Sequence, residues 1–588
     1  MGGIELPAAR FDDLSSTGGS FRLEGCLGEV VAHRPEEVAG ALAAVEAAAC
    51  EGRWAAGFVN YEAAPGLDAA MAVRRPDPAV EQPPLVWFAL FRRRRAVDPP
   101  EPPHERLLVA DWIVDVDPDS YRERVGRTRA YIGSGDAYQL NLTHRWRSPA
   151  TGDPWMLYRR LMAAQRPAYG AFVDTGRWAV ASASPELFFH WQAAVLTCRP
   201  MKGTAPRGRW TEEDRAIGSA LESSGKNRAE NVMIVDLVRN DLGRVAEYGT
   251  VAVNDLFRLE RYPTVWQLTS EVTARTRPGT TLVDVFRALF PCGSVTGAPK
   301  HRTMALITEL ESDRRGIYCG AIGFVGPGEA RFNVAIRTAV VDQATGKGQY
   351  GSGGGIVWDS DSEQEYAEAR TKAEILFTST PPFDLVETMA FVPEEGVRNH
   401  DRHLRRLAGS AEYFGYPFCH GTISARLKAR TQSLDEPTLV RLSLASSGRA
   451  WIETGTLPVP TSRAPVRLVI DELPVDSSDV SLFHKTSLRR PYSARRARHR
   501  EADDVVLVNE RGQVTETTVA NLAVCLGARW CTPPLDNGCL PGVQRALLVE
   551  DGTLAERSIS VAELQAAAQI ALVSSVRGWR PAVLLPQG

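Results

Sequence analysis

A tandem proline inside residues 377–383, F-T-S-T-P-P-F, constrains this chain more than any other feature. Each proline lacks a backbone N–H, and each disfavours the helical conformation in the residue before it. The helical spacing that precedes the pair must therefore stop. The stretch reads as a linker, residues 377–383, between a first domain over 1–376 and a second over 384–588. In the first block, strand-like runs at 179–183, 251–253, 321–325 and 333–341 alternate with helical spacing, and the second block alternates too. The basic run 92–95 and the proline-rich 99–103 read as a solvated turn and a loop within the first block. No period of about 20–50 residues recurs, which excludes solenoids and propellers.

Composition removes several function classes. A net charge of -3 excludes a generally basic footprint for nucleic acid or membrane. The nine cysteines stand singly, with no C-x-x-C pair, so a reduced, cytoplasmic protein without structural zinc is expected. The N-terminus has no signal pattern, and no run of about 18 apolar residues is present, so no membrane span is expected. Of 68 basic residues only seven are lysine, at 202, 226, 300, 347, 372, 428 and 485. Arginine cannot lose its proton, so the retained lysines mark places where a free amine is useful.

Residues 226–242 have helical apolar spacing and place Glu230 one turn after Lys226. A second helix is expected over 363–372, E-Q-E-Y-A-E-A-R-T-K, where Glu365, Glu368 and Lys372 share a face. Two carboxylate-bearing helices can hold a hard divalent cation, and oxygen ligands with retained waters favour Mg2+. Alone, the pattern also suits a solvated helix face. The glycine-rich stretches 293–300 and 351–355 read as loops that bring N–H groups against an anion, or as ordinary turns. Neither has the spacing of a dinucleotide fingerprint or a P-loop.

Further motifs accompany these: A-S-P-E-L-F (183–188), P-M-K-G-T (200–204), K-N-R-A-E-N (226–231), D-L-V-R-N-D-L-G-R (236–244), G-S-V-T-G-A-P-K (293–300), R-R-G-I-Y-C-G-A-I-G (314–323), A-I-R-T (335–338) and G-S-G-G-G-I-V (351–357). With them, roughly residues 10–376 resemble the chorismate-utilising enzymes, the anthranilate and aminodeoxychorismate synthases and their isochorismate and salicylate relatives. The resemblance implies a large α/β sandwich around one deep site. It implies Glu230 and Glu368 as direct Mg2+ ligands, with Asn227, at a place often acidic, and Glu365 acting through water. Arg337, Tyr318, Thr204, the amides near Gly354 and Gly355, and Lys372 would hold the carboxylates and enolpyruvyl group of chorismate. Glu186 would protonate the departing C4 hydroxyl. Gln139 stands where water-adding relatives carry a lysine base, which points to ammonia as nucleophile. Lys202 stands where anthranilate synthases have alanine and aminodeoxychorismate synthases have a lysine thought to attack C2. The alternative for Lys202 is a simple carboxylate pair. The G-C-L-G at 25–28 lacks an H-x-E partner, so Cys26 reads as a buried strand cysteine. The glutaminase that supplies ammonia would then be a separate subunit.

The second block carries S-L-F-H-K-T-S-L-R-R-P-Y around Lys485, then T-E-T-T-V-A-N-L (515–522) and C-L-P-G-V-Q-R (539–545). These resemble the fold-type IV pyridoxal phosphate enzymes, which include aminodeoxychorismate lyase. The resemblance implies an α+β domain in which Lys485 carries the cofactor and shuttles protons, and Glu516 faces the pyridine nitrogen. Arg406, the amides of Val543 and Gln544, and Ser575 would bind the phosphate, and Thr388 would pass a proton to the leaving enolpyruvate. Family members usually begin with some 30 more residues before the V-E-T motif. Here only 381–385 precede it, so the missing lobe is either supplied by the first domain or dispensable. The two resemblances together imply a two-step synthesis of 4-aminobenzoate for folate. Three alternatives stay open: an anthranilate synthase-like enzyme, a synthase with an inactive C-terminal dimerisation module, and a supplier of 4-aminobenzoate to a secondary metabolite. A homodimer through the second domain is compatible with any of them.

Overall fold

The computed structural model describes residues 6–15, 18–103, 110–377, 382–458 and 464–586. Residues 378–381 of the expected linker lie outside these. The chain divides into two compact units. One comprises Met1–Pro206 with Gly218–Pro381, the other Arg207–Ile217 with Pro382–Gly588.

The first unit is built on a branched antiparallel sheet of 18 strands among the described residues. The elements that build its site are strands β1 (Gln139–Ser148), β2 (Met201–Pro206), β3 (Val265–Arg275) and β4 (Lys347–Ile356), and helices α1 (Gly225–Gly243) and α2 (Ser362–Thr371). Strand β1 pairs with β4 from Ser148↔Gly348 to Leu140↔Ile356, and β2 pairs with β3. Ser224 caps α1 by accepting from the amide of Asn227; Asp361 caps α2 by accepting from that of Gln364. Helix α1 buries Asn231, Ile234, Val235, Val238, Asp241 and Leu242, a stripe at helical spacing.

Three sequence expectations change here. The glycines at 351–355 form part of strand β4 and not a loop. They are needed for close approach: a Cβ on Gly351 would lie 2.3 Å from the Tyr318 ring, and one on Gly353 2.3 Å from the Leu142 carbonyl oxygen. The run 333–341 is not one strand. It breaks between Glu329–Val334 and Thr338–Asp342, where Arg337 adopts φ 51. That left-handed backbone is costly for a residue with a Cβ and marks a place held by its surroundings. The basic run 92–95 is not a turn but lies in strand Val86–Val97, where Glu24 on the neighbouring strand accepts from Arg93 and Arg95.

In the second unit, a four-stranded antiparallel sheet contains β5 (Leu385–Val392) and β6 (Thr438–Leu444), backed by helix α3 (His400–Phe414). Successive side chains of a strand point to opposite faces. Accordingly Leu385 and Met389 join the core with Leu404 and Leu407 of α3, whereas Val386 and Thr388 face a cavity. An eight-stranded mixed sheet supplies β7 (Val514–Thr517) and β8 (Asn521–Leu526), and helix α4 (Val543–Glu550) follows them.

Candidate active sites

The first unit holds a cavity of about 270 Å³ lined by Glu186, Lys202, Thr204, Asn227, Glu230, Tyr318, Arg337, Gly354, Gly355, Glu365, Glu368 and Lys372. Gln139 stands just behind the wall. A Cβ on Gly355 would lie 2.3 Å from Lys202 Nζ and 2.4 Å from Gln139 Nε2, so the two side chains meet over this glycine. Both amide atoms of Gln139 are buried without a hydrogen-bond partner. Lys300 is not in the site: it donates to Asp241 at 2.8 Å and to the Leu289 carbonyl at 3.0 Å, a buried structural pair. Cys26 is half-buried in strand Ser20–Ala32 rather than buried.

Charge in this cavity is arranged by burial. Burial pushes the Glu186 carboxyl up to about 7 against opposing pulls from the Ser294 hydroxyl and Lys202, and its Oε1 has no partner. Burial lowers the Lys202 ammonium, with the nearby carboxylates of Glu230, Glu368 and Glu365 opposing it. Lys372 donates to Glu368 at 2.7 Å and to the Gly353 carbonyl at 2.9 Å, and its charge holds Glu368 below the usual carboxylate range. Burial raises Glu365, which accepts from Ser360 at 2.7 Å. Arg337 is steadied by Gln165, which accepts at 2.9 Å, and Gln267 donates to Thr204 at 2.7 Å. Among the described residues no three His, Cys or acidic side chains form a ready metal cage. Mg2+ does not require one: it keeps waters and takes one or two carboxylates plus substrate oxygens. Three carboxylates and the Asn227 amide facing one cavity fit that donor chemistry.

The second unit holds a cavity of about 1230 Å³ lined by Thr388, Arg406, Lys485, Glu516, Val543, Gln544 and Ser575. Burial pushes Lys485 down to about 8, with Arg406 adding to it, and pushes Glu516 up to about 7. Glu516 accepts from Asn521 and the Leu540 amide at 3.2 Å, and from Tyr492 at 3.4 Å. Arg406 is orientated by Glu387, which accepts from Nε at 2.8 Å and Nη2 at 2.6 Å, and by the Pro541 carbonyl, which accepts from Nη1 at 3.1 Å. A guanidinium has five N–H groups, so two remain for an anion. Burial would raise Glu387, but Arg406 and His403 outweigh it and hold the carboxyl at about 2. His403 joins Glu387 at 2.7 Å to Ser575 at 2.7 Å. Gly542 precedes helix α4 and gives it no side-chain cap, which leaves first-turn amides available to an anion, and a Cβ on Gly542 would strike Asn521 Oδ1 at 1.8 Å. A phosphate cup, an amine and a buried carboxylate in one cavity fit pyridoxal phosphate.

The sequence reading missed Ser294, Gln165, Glu387, His403 and Tyr492. The H-x-x-R spacing of His403 and Arg406 on α3 was a usable signal, because i and i+3 share a face. It also missed Arg441, which stands directly opposite Thr388 in the β5–β6 register and lines the same cavity.

Residues 28–378 match the chorismate binding enzyme family, and residues 384–585 match amino-transferase class IV. Aminodeoxychorismate synthase component 1 of Klebsiella aerogenes is 43% identical over 45% of this chain and 58% of its own length. Anthranilate synthase component 1 of Streptomyces coelicolor is 42% identical over 46% of this chain and 52% of its own length. The chain thus spans less than two thirds of the length of these curated relatives. The solved anthranilate synthase component I of Streptococcus pneumoniae superposes with a TM-score of 0.53 at 26% identity, over 64% of this chain and 94% of that one. No described helix is long and apolar enough to cross a membrane.

Proposed function

The chain belongs to the chorismate binding enzymes, and from that premise we propose that it converts chorismate and ammonia to 4-amino-4-deoxychorismate and then removes pyruvate to leave 4-aminobenzoate, for folate. The observation that carries this reading is the presence of two cavities, each with a lysine whose basicity is lowered by burial, Lys202 and Lys485. Identity alone does not separate the two kinds of synthase, at 43% and 42%. Lys202 supports the aminodeoxychorismate reading, since it lines the cavity and an amine whose basicity is lowered by burial is better suited to act as a nucleophile.

In the first site Nζ of Lys202 forms a bond to C2 of chorismate. The ring double bonds shift, and the C4–O bond breaks as Glu186 gives its proton to the departing hydroxyl. Ammonia then forms the C4–N bond and returns a proton to Glu186, while the shift reverses and the C2–Nζ bond breaks to release Lys202. Glu230 and Glu368 would hold Mg2+ against the ring carboxylate, with Glu365 and Asn227 reaching it through water. Arg337, Tyr318, Thr204, Gly354, Gly355 and Lys372 would position the rest of the substrate. Gln139 beside Lys202 suits an uncharged nucleophile better than a lysine base would. The ammonia comes from a separate glutaminase subunit.

In the second site Arg406, Val543, Gln544 and Ser575 would hold the phosphate of pyridoxal phosphate, and Glu516 would face its ring nitrogen. When bound, the cofactor supplies an electron sink for the carbon that loses its proton. Lys485 takes that proton, and Thr388 hands one to the leaving three-carbon unit. Joining both steps in one chain raises the local concentration of the shared intermediate. Pairing through the second unit and a cytoplasmic location complete the reading; it includes no nucleic acid or membrane.

One incubation tests it. With chorismate, Mg2+, ammonia and pyridoxal phosphate, 4-aminobenzoate and pyruvate should appear in equal amounts. Aminodeoxychorismate accumulating instead would refute an active lyase, and 2-aminobenzoate would favour the anthranilate reading.

Glu186 makes a second expectation. Its carboxyl, raised to about 7, is an acid below that pH and an anion above it. At a constant concentration of free ammonia, amination turnover should therefore fall as pH rises through about 7. Glu186→Gln should lower it on the order of 10²–10⁴-fold and abolish that limb of the pH profile. A variant retaining the limb would assign the titration to another group.

A further inference from the structure

Residues Arg207–Ile217 lie inside the stretch matched to chorismate binding enzymes, yet they belong to the second compact unit. There they pack against the residues that lead into Lys485. The Trp210 ring lies 5.2 Å from that of Phe483, and the Arg209 guanidinium caps both, 4.8 Å from Trp210 and 5.6 Å from Phe483. Trp210 also borders the small core of Val475, Leu482, Phe483 and Leu507. Arg209 is fixed by Glu213 at 2.7 Å and by Asp536 at 2.6 Å. Arg207 stacks 4.2 Å over Tyr413 and donates to its carbonyl at 2.9 Å, and the Tyr413 hydroxyl donates back to Gly208 at 2.7 Å. Tyr413 in turn packs 4.5 Å from His484, whose Nδ1 meets the Ser410 hydroxyl at 2.9 Å.

Both side chains before Lys485 are therefore clamped, one by Trp210 directly and one through Tyr413. The carbonyl of Lys485 accepts from the Val386 amide at 2.9 Å. With its neighbours and its own carbonyl held, the direction in which Lys485 enters the cavity is set. A small displacement of such a group costs a site most of its function.

We propose that Arg207–Ile217 is a positioning element for Lys485, so that the second active site is completed by a segment from within the chorismate-binding part of the sequence. It supplies packing that residues 384–588 do not themselves contain. The inference rests on the pyridoxal phosphate reading of that cavity.

The test uses the full-length chain with Trp210→Ala, Trp210→Phe and the milder Arg209→Met. Pyridoxal phosphate is titrated into cofactor-free protein, and the visible band is followed with concentration and with pH. Ammonia-dependent amination in the same preparation reports that the chain has folded. Trp210→Ala should weaken cofactor binding on the order of tenfold and shift the pH midpoint of the band, while amination is unchanged. Trp210→Phe should restore both. Wild-type affinity and midpoint in Trp210→Ala and Arg209→Met together would overturn the proposal. Wild-type protein that takes up no pyridoxal phosphate would overturn the lyase reading, and this inference with it.

Discussion

Lys202→Ala should stop the formation of aminodeoxychorismate, and hence of 4-aminobenzoate, from chorismate and ammonia. The loss expected is on the order of 10³-fold or more, roughly 4 kcal/mol of barrier. The size follows from the role. If Nζ forms the bond that opens C4 to ammonia, no neighbour can replace it. Arg337 cannot lose its proton, and Lys372 is engaged with Glu368 and the Gly353 carbonyl. A lysine that only paired with Glu230 would leave a smaller defect, of the size expected for one ion pair. The second unit of the same variant should still aromatise aminodeoxychorismate supplied from outside, which separates lost chemistry from lost folding. Para-amination at the wild-type rate would sink the covalent role and return Lys202 to a carboxylate partner.

Lys485→Ala should give the complementary result. The variant should make aminodeoxychorismate at the wild-type rate, release no pyruvate, and lack the visible band of lysine-bound pyridoxal phosphate. The amine at this position lines the cavity, and desolvation lowers it to about 8, so a useful fraction is unprotonated near neutral pH. The neighbouring Arg406 is paired with Glu387 in the same cavity, and among the described residues no second lysine lines it. Pyruvate release persisting in Lys485→Ala would refute the assignment of the proton shuttle. Stalled amination in the same variant would show instead that the first step depends on the second site.

Much of both sites was legible because the chemistry resides in residue types at fixed spacing. The shared face of Glu365, Glu368 and Lys372 follows from helical periodicity alone, and the helix Ser362–Thr371 with its C-cap Lys372 brings all three to one cavity. The scarcity of lysine pointed to Lys202 and Lys485, which each line a cavity, and also to Lys300, which instead makes a buried pair with Asp241. Composition shows where an amine is kept, not which carboxylate it meets. The residues that escaped notice act through others: Ser294 on Glu186, Gln165 on Arg337, and Glu387 and His403 on Arg406 and Ser575. Their types are common, and their partners lie far away in sequence. The glycines at 351–355 were misread for the same reason. Local sequence says that a chain can turn there, whereas their actual purpose is to admit Tyr318, Leu142 and Lys202 from other elements.

The sequence by itself determined the two families that its halves resemble and which lysines and carboxylates are candidates for each site, because these depend on local spacing and on side-chain chemistry. Only the tertiary structure decided how far each carboxyl and amine departs from its ordinary titration, since burial sets the cost of charge and burial is a property of the whole fold. Only it decided that Arg337 holds a left-handed backbone within a broken strand. And only it decided where the second unit ends. Whether Arg207–Ile217 stays with its sequence neighbours or packs beside Phe483 and Tyr413 turns on the long-range packing of the half-buried Trp210 and on paired guanidinium groups, which no local pattern records.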